Sequence, residues 1–228
     1  MRKKKLVVFT GAGISQESGI KTFRGSDGLW ENHAISEVAT PEAWFINPGL
    51  VLRFYNERRK QILASQPNAA HYSLAELEQQ YDVTVVTQNI DDLHERAGST
   101  DILHLHGEIR KAQSAKYPEL VYSIEGDLLN LGEKCEKGEQ LRPHVVWFGE
   151  AVPNIEPACK ISEQADIFIV IGTSLNVYPA ANLIHYTSPA CQKFLIDPYA
   201  SEFNASDDIT IIEEKATVGM ELLKKQLL

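Results

Sequence analysis

The chain has 228 residues, 43% of them hydrophobic and 23% charged, enough for one large domain with a sizeable core. Its 22 Lys and Arg against 31 Asp and Glu leave a net charge of −9, which excludes a general nucleic-acid coat protein, because that needs a basic surface. Three cysteines, Cys135, Cys159 and Cys191, are too few for a disulfide framework or a four-thiolate zinc site.

The basic opening, Met1 to Lys5, precedes only Leu6-Val7-Val8-Phe9 before Gly11. That is shorter than the ~7–15 residues of a secretory apolar core, and no run approaches the ~20 residues of a membrane span. The expectation is a soluble, cytoplasmic protein in a reducing compartment, with no membrane and no nucleic-acid partner.

In chain order, residues 6–10 form a short apolar run that enters a glycine-rich turn. Residues 25–48 are long, Gly/Asn/Pro-punctuated and rich in Trp and His. Residues 51–64 and 70–80 place apolar side chains at spacings of three and four, the helical period. Runs at 83–87 and 102–105 follow. Residues 108–142 carry many charges, three glycines and one apolar patch at 120–124, and predict a small inserted module. Further runs lie at 145–148, 167–171, 194–196 and 209–212, and residues 218–228 close the chain as a helix. Short β-branched runs without polar alternation suit strands covered on both faces. Strands alternating with helices predict an α/β fold, a doubly wound parallel, Rossmann-like sheet with a smaller inserted module.

The first run leads into Thr10-Gly11-Ala12-Gly13-Ile14-Ser15-Gln16-Glu17-Ser18-Gly19. Two glycines after a strand and before a helix allow close backbone approach to a pyrophosphate. Gln16 stands where the dehydrogenase fingerprint has its third glycine, and no strand-ending acid follows about 20 residues on. A dinucleotide site is therefore favoured over a plain strand-to-helix turn, and hydride transfer ranks last.

The longer string Gly11-Ala12-Gly13-Ile14-Ser15-x-Glu17-Ser18-Gly19-Ile20-x-Thr22-Phe23-Arg24-Gly25 resembles the opening motif of sirtuins, the NAD-dependent protein-lysine deacylases. Thr87-Gln88-Asn89-Ile90-Asp91, Leu105-His106-Gly107-Glu108 and Gly172-Thr173-Ser174-Leu175-x-Val177 agree with the family, in the family's order. Pro143 to Glu150 is similar to the family's substrate strand. The resemblance spans nearly the whole chain.

The resemblance implies consumption of NAD. The acyl oxygen attacks C1′ of the nicotinamide ribose, nicotinamide leaves, and a base activates the ribose hydroxyls to yield O-acyl-ADP-ribose. It implies His106 as that base, for which a near-neutral imidazole is suited. His104 shares its strand face by the period of two, so spacing alone does not choose between them. It implies Asn89 and Asp91 around nicotinamide and ribose. Gly11, Ala12, Gly13, Ile14, Gln88, Ile90, Gly172, Thr173 and Ser174 would lie along the cofactor, with Phe23 and Arg24 in its mobile loop and Trp30, also cofactor-binding, in the cofactor loop and helical insert at 25–50. Val145, Val146, Trp147, Phe148 and Gly149 would pair with the acylated peptide as an edge strand.

Tyr55 and Arg58 are three apart in a helical segment and share a face. A phenol beside a guanidinium is a natural clamp for a carboxylate. At this place the pair resembles the sirtuins that remove succinyl and malonyl groups.

One departure is clear. Sirtuins commonly hold the small module with four cysteines on zinc, and only Cys135 lies in that region here. The expectation is no metal, with Tyr117, Leu120, Val121, Tyr122, Ile124, Leu128, Leu129 and Leu131 as an apolar replacement. The expected protein is a monomeric deacylase of acylated-lysine proteins. The alternatives are an ADP-ribosyltransferase or NAD hydrolase on the same scaffold, and a non-catalytic binding module.

Overall fold

The computed structural model describes residues 2–21, 29–30, 33–173, 180–202 and 208–228. Its frame is a six-stranded sheet in the order β11-β10-β9-β1-β4-β5. The strands are β1 (Lys5–Thr10), β4 (Asp82–Thr87), β5 (Ile102–His104), β9 (Ile167–Ile171), β10 (Gln192–Ile196) and β11 (Ile209–Ile212). Every neighbouring pair is parallel. The chain leaves β1 toward β4 and β5 on one side, then returns to fill β9, β10 and β11 on the other. The strand order therefore reverses at β1 and β9, the place where open α/β sheets bind ligands.

Burial explains why β1 and β9 read as unbroken apolar runs. Leu6 and Val8 face a layer made by Leu74, Leu77, Met220 and Leu223, while Val7 and Phe9 face Ala158, Leu183 and Phe168. The first layer belongs to α5 (Ala69–Leu77) and α8 (Ala216–Leu227); in the second, Ala158 comes from α7 (Ile155–Glu163), Leu183 from a 3-10 turn at Ala180–Tyr186 and Phe168 from the neighbouring β9. Both pleats are covered, so polar alternation is absent.

A second body sits past the strands' C-terminal ends. Its helices are α2 (Ile35–Val38), α3 (Pro41–Ile46) and α4 (Pro48–Ala64). Thr40 caps α3 and Asn47 caps α4 through side-chain oxygens, and each helix begins with proline, whose missing N–H is no loss there. A short hairpin of β2 (Leu29–Trp30) and β3 (His33–Ala34) precedes them.

The small module is a three-stranded antiparallel sheet in the order β7-β6-β8. It is built from β6 (Gly107–Ser114), β7 (Val121–Ser123) and β8 (Leu141–Val145). Two expectations change here. The strand predicted at 145–148 ends at Val145, because Gly149 has φ +92° and Glu150 N–H donates to the Trp147 carbonyl, closing a turn. The module's core takes Tyr117, Leu120, Tyr122, Ile124 and Leu129, but leaves Val121, Leu128 and Leu131 exposed. Cys135, Leu52 of α4 and Trp44 of α3 take part in their stead.

Arg59 of α4 fastens the module. It is fully buried; its Nε donates to the Ile109 carbonyl (2.7 Å), and Nη1 donates to Asn56 Oδ1 (2.8 Å) and the Asp127 carbonyl (3.0 Å). Burial lowers its guanidinium to about 10, which still leaves it charged near neutrality. Among the described residues no helix is long and apolar enough to cross a membrane.

Candidate active site

Two turns meet at the reversal point. One follows β1 and carries Gly11, Ala12 and Gly13; the other follows β9 and carries Gly172 and Thr173. A Cβ on Gly13 would lie 2.5 Å from Gly172 Cα, and one on Gly11 would lie 2.7 Å from Thr173 Cβ. Only glycine permits this contact, and Gly172 also has φ +61°. The turns spend several N–H groups on each other. Gly11 N–H donates to the Ile171 carbonyl and Gly13 N–H to the Gly172 carbonyl, while Ile14 and Ser15 N–H close the turn of α1 (Gly13–Gln16). The glycines thus matter more for bare approach than for the free donors expected of a longer helix.

Ser15 is the node that the motif hid. Its hydroxyl donates to Asp91 Oδ2 (3.0 Å) and accepts from Asn89 Nδ2 (3.3 Å), which also donates to the Gly11 carbonyl (3.1 Å). The Asp91 Oδ1 accepts from Leu93 N–H (3.2 Å). Asn89 and Asp91 are buried, and burial pushes the Asp91 carboxyl above its ordinary range. Ile90 carries the carbonyl that accepts from Ile109 N–H, which joins the turn to β6. Asp92 points away, beside Arg96 (3.4 Å) and Arg110 (3.5 Å), so it adds no bare charge to the site.

Gln88 Oε1 accepts from the Thr173 hydroxyl (3.0 Å), while its Nε2 is buried without a protein partner among the described residues. His106 Nδ1 lies 3.0 Å from the Gln88 carbonyl. A carbonyl only accepts, so Nδ1 bears the hydrogen and Nε2 keeps the lone pair. Burial lowers this imidazole below its ordinary value, partly offset by that hydrogen bond, so the ring is neutral and basic at cellular pH. Chemically the cluster offers a proton acceptor, an amide and a carboxyl beside a side-chain-free cradle.

Tyr55 and Arg58 lie side by side on α4, both buried. The Trp147 indole N–H donates to the Tyr55 hydroxyl (3.1 Å), and burial raises that phenol's pKa. Trp147 is itself fixed: Arg142 lies 3.4 Å from its ring centroid, and its N–H donates to Glu150 (2.7 Å). Glu150 in turn forks onto Arg142 at 2.6 and 2.9 Å.

The strand expected through 148 stops at Val145. Val145 ends β8, an edge strand, but Val146 N–H is taken by the His106 carbonyl and Phe148 N–H by the Ala39 carbonyl. Trp147 points inward, and Phe148 and Gly149 are exposed. Phe23, Arg24 and Ser174 lie outside the described residues, as does the side chain of Trp30.

The module offers few thiol or imidazole metal donors. Cys135 is its one thiol, with the Ser114 hydroxyl 3.4 Å away and apolar neighbours around it. The metal-type donors that cluster among the described residues, Glu95, His104 and Glu108, lie where α6 (Leu93–Ala97) and β5 meet the start of β6. There Lys111 holds Glu108 (2.7 Å) and His104 holds Glu95 (2.7 Å).

Residues 11–179 match the model of the Sir2 family. The chain belongs to the Sir2 family. A curated relative from Bacteroides thetaiotaomicron, named NAD-dependent protein deacylase, is 51% identical over 99% of this chain and 98% of its own. One from Helicobacter pylori (strain ATCC 700392 / 26695) with the same name is 52% identical over 99% and 98%. The crystal structure of a Sir2 homolog–NAD complex superposes with a TM-score of 0.86 at 38% identity, covering 99% of this chain and 90% of that one. The glycine cradle and the orphaned Gln88 amide fit the Sir2 co-substrate NAD, a dinucleotide whose ribose oxygens would accept from that amide.

Proposed function

We propose that this chain is an NAD-dependent protein-lysine deacylase that prefers succinyl and malonyl groups and accepts acetyl. The observation that carries the deacylase reading is His106. Its neutral ring stands over the Gln88 carbonyl, beside the turn whose Asn89 and Asp91 are tied to the Gly11 turn through Ser15.

NAD, when bound, supplies the electrophilic ribose carbon that takes the acyl oxygen as nicotinamide leaves. His106 Nε2 accepts the proton of a ribose hydroxyl. Asn89 and Asp91 set the nicotinamide and ribose, with Ile90 between them. Gln88 holds a ribose oxygen through Nε2. Gly11, Ala12, Gly13, Ile14, Gly172, Thr173 and Ser174 would hold the phosphates, and Phe23, Arg24 and Trp30 would be the loop contacts to the co-substrate. The turn at 146–149, with the β8 edge at Val145, receives the peptide.

The acyl preference rests on Tyr55 and Arg58. A buried guanidinium beside an oriented phenol favours a carboxylate-bearing acyl chain over a methyl. The proposed organisation is one catalytic domain over 1–228, with a cofactor loop and helical insert at 25–50 and a zinc-free module at 108–142. The protein works in the cytoplasm as a monomer.

The test is incubation with NAD and matched acetyl-, malonyl- and succinyl-lysine peptides, following nicotinamide and free lysine together. Nicotinamide release without acyl-lysine would favour the ADP-ribosyltransferase or hydrolase reading. Arg58→Met is expected to lower desuccinylation about 10–100-fold while sparing deacetylation. Equal losses would remove the clamp. Elemental analysis of the purified protein is expected to find no stoichiometric zinc.

A further inference from the structure

His104 and His106 stand two residues apart, and their Nδ1 atoms meet two consecutive carbonyls. His104 Nδ1 is 3.0 Å from the Asn89 carbonyl, and His106 Nδ1 is 3.0 Å from that of Gln88. The outer nitrogen of His104 differs, lying 2.7 Å from Glu95 Oε1. A carbonyl and a carboxylate are both acceptors. His104 therefore satisfies both contacts only when each ring nitrogen carries a hydrogen. The ring is 8% exposed and the Glu95 side chain 41%, so the Asn89 contact is shielded from water and the Glu95 contact lies at the rim. Its backbone is also held, because Asn154 Nδ2 donates to the His104 carbonyl (2.7 Å).

We propose that Glu95 and His104 form a positioning pair: a doubly protonated His104, gripped by Glu95, donates to the Asn89 carbonyl and fixes the turn that carries Gln88, Asn89 and Asp91. Two neighbouring histidines are thus held in opposite states, one charged to position and one neutral to accept a proton. The effect on rate rests on the proposed role of that turn. The protonation of His104 does not.

The charged and titratable groups facing the ring are Glu95 and His94 from α6 (Leu93–Ala97), Glu108 from β6, His144 from β8, and Asp91 in the turn. Burial lowers the imidazole. The Glu95 hydrogen bond and charge, with the Asn89 carbonyl and Glu108, outweigh it and leave the ring raised. Glu95 is correspondingly lowered: burial raises it, but the hydrogen bond from His104 and its charge prevail.

When the ring loses a proton at alkaline pH, the remaining one stays on the charge-assisted Glu95 contact, the stronger of the two. The Nδ1 lone pair then opposes the Asn89 oxygen, and the turn loses its support. Without Glu95, a neutral ring can place its hydrogen on Nδ1 and keep the Asn89 contact.

The test is 15N NMR of the histidine rings and backbone amides in the free protein between pH 6 and 10, in wild type and Glu95→Ala, with kcat/KM for NAD over the same range. At pH 7.5, His104 is expected to carry two ring hydrogens and His106 one. The Asn89 and Ile90 amide signals are expected to move with the His104 titration. In Glu95→Ala, His104 titrates at least one pH unit lower, and those amides no longer move on the alkaline side. Wild-type kcat/KM falls about tenfold as His104 deprotonates, and Glu95→Ala lacks that limb. His104→Ala is lowered at every pH, and His104→Gln, whose amide can donate to the Asn89 carbonyl, recovers part of the loss. A His104 with one ring hydrogen at pH 7.5, or turn amides blind to its titration, overturns the proposal. So does an alkaline limb unchanged in Glu95→Ala. If no acyl peptide is turned over, the deacylase reading fails, and the nitrogen and amide signals still decide the pairing.

Discussion

The Trp147 indole N–H donates to the Tyr55 hydroxyl, joining the turn after β8 to the middle of α4. Arg142 stacks on that indole and forks onto Glu150, which in turn accepts the Trp147 backbone N–H. The phenol next to Arg58 is therefore oriented by a chain of contacts that starts in the small module. Trp147→Phe keeps most of the ring packing and removes the donor. It is expected to lower kcat/KM on succinyl-lysine peptide about threefold to tenfold, the worth of one net hydrogen bond, with little change on acetyl-lysine. A mixed-peptide competition assay reads the ratio directly.

Arg59 is expected to carry more stability than any surface ion pair of this protein. Arg59→Met fills similar space but takes the donor from the Ile109 and Asp127 carbonyls, while Asn56 Oδ1 keeps the Leu129 N–H (3.0 Å). Each orphaned buried acceptor costs about 1–3 kcal/mol, so a total loss of roughly 2–5 kcal/mol is expected in urea unfolding. Removing the exposed surface pair Lys160–Glu156, by contrast, should leave the urea midpoint nearly unchanged, because solvent screens it.

Gly172→Ala tests the cradle. The new methyl would sit 2.6 Å from backbone atoms of Gly13, at a φ that L-residues avoid. The two turns must separate. NAD affinity is expected to fall more than tenfold by calorimetry, together with a lower Tm. Gly126→Ala, also at positive φ but with open space around it, should lower Tm slightly and leave NAD binding intact.

Acid should weaken the fold through two buried histidines. His71 and His94 lie with ring centroids 4.9 Å apart under the Thr10–Thr87 hydroxyl pair, and His94 Nε2 is 3.0 Å from Thr10 Oγ1. Burial lowers His71 to about 4 and His94 well below its ordinary value. Between pH ~6.5 and ~4 the unfolded chain binds a proton at His71 that the folded one refuses. Stability is therefore full above ~6.5 and falls as pH drops through that window, by roughly 2 kcal/mol at pH 5 from His71 alone. Urea unfolding at pH 7.5 and 5 should show the loss, and His71→Gln should flatten it.

Much of this molecule was legible in one dimension. The covered strands at 6–10, 83–87 and 167–171 betray themselves because both faces are buried, which removes polar alternation. The glycine turns were readable because close backbone contact admits no other residue. The positions of His106, Asn89 and Asp91 followed from motifs at strand ends. The apparent strand at 145–148 misled because Trp147 is apolar for a different reason, its contact with Tyr55 across the fold. Leu128 and Leu131 misled because hydrophobicity does not say which side of a loop meets a core.

By itself, the sequence determined the strand–helix alternation, the glycine-rich turns and the scarcity of thiols, since each is set by local conformation or composition. Only the tertiary structure decided the protonation pattern. Whether His104 or His106 is neutral depends on acceptors that come from Gln88, Asn89 and Glu95, and no spacing rule encodes which oxygen a ring nitrogen will meet. The same holds for Ser15, Arg59 and Arg142. Ser15 meets Asp91, Arg59 meets the Ile109 and Asp127 carbonyls and Arg142 meets Glu150 at separations from 8 to 76 residues, and hydrogen bonds of that kind exist only once the chain has folded.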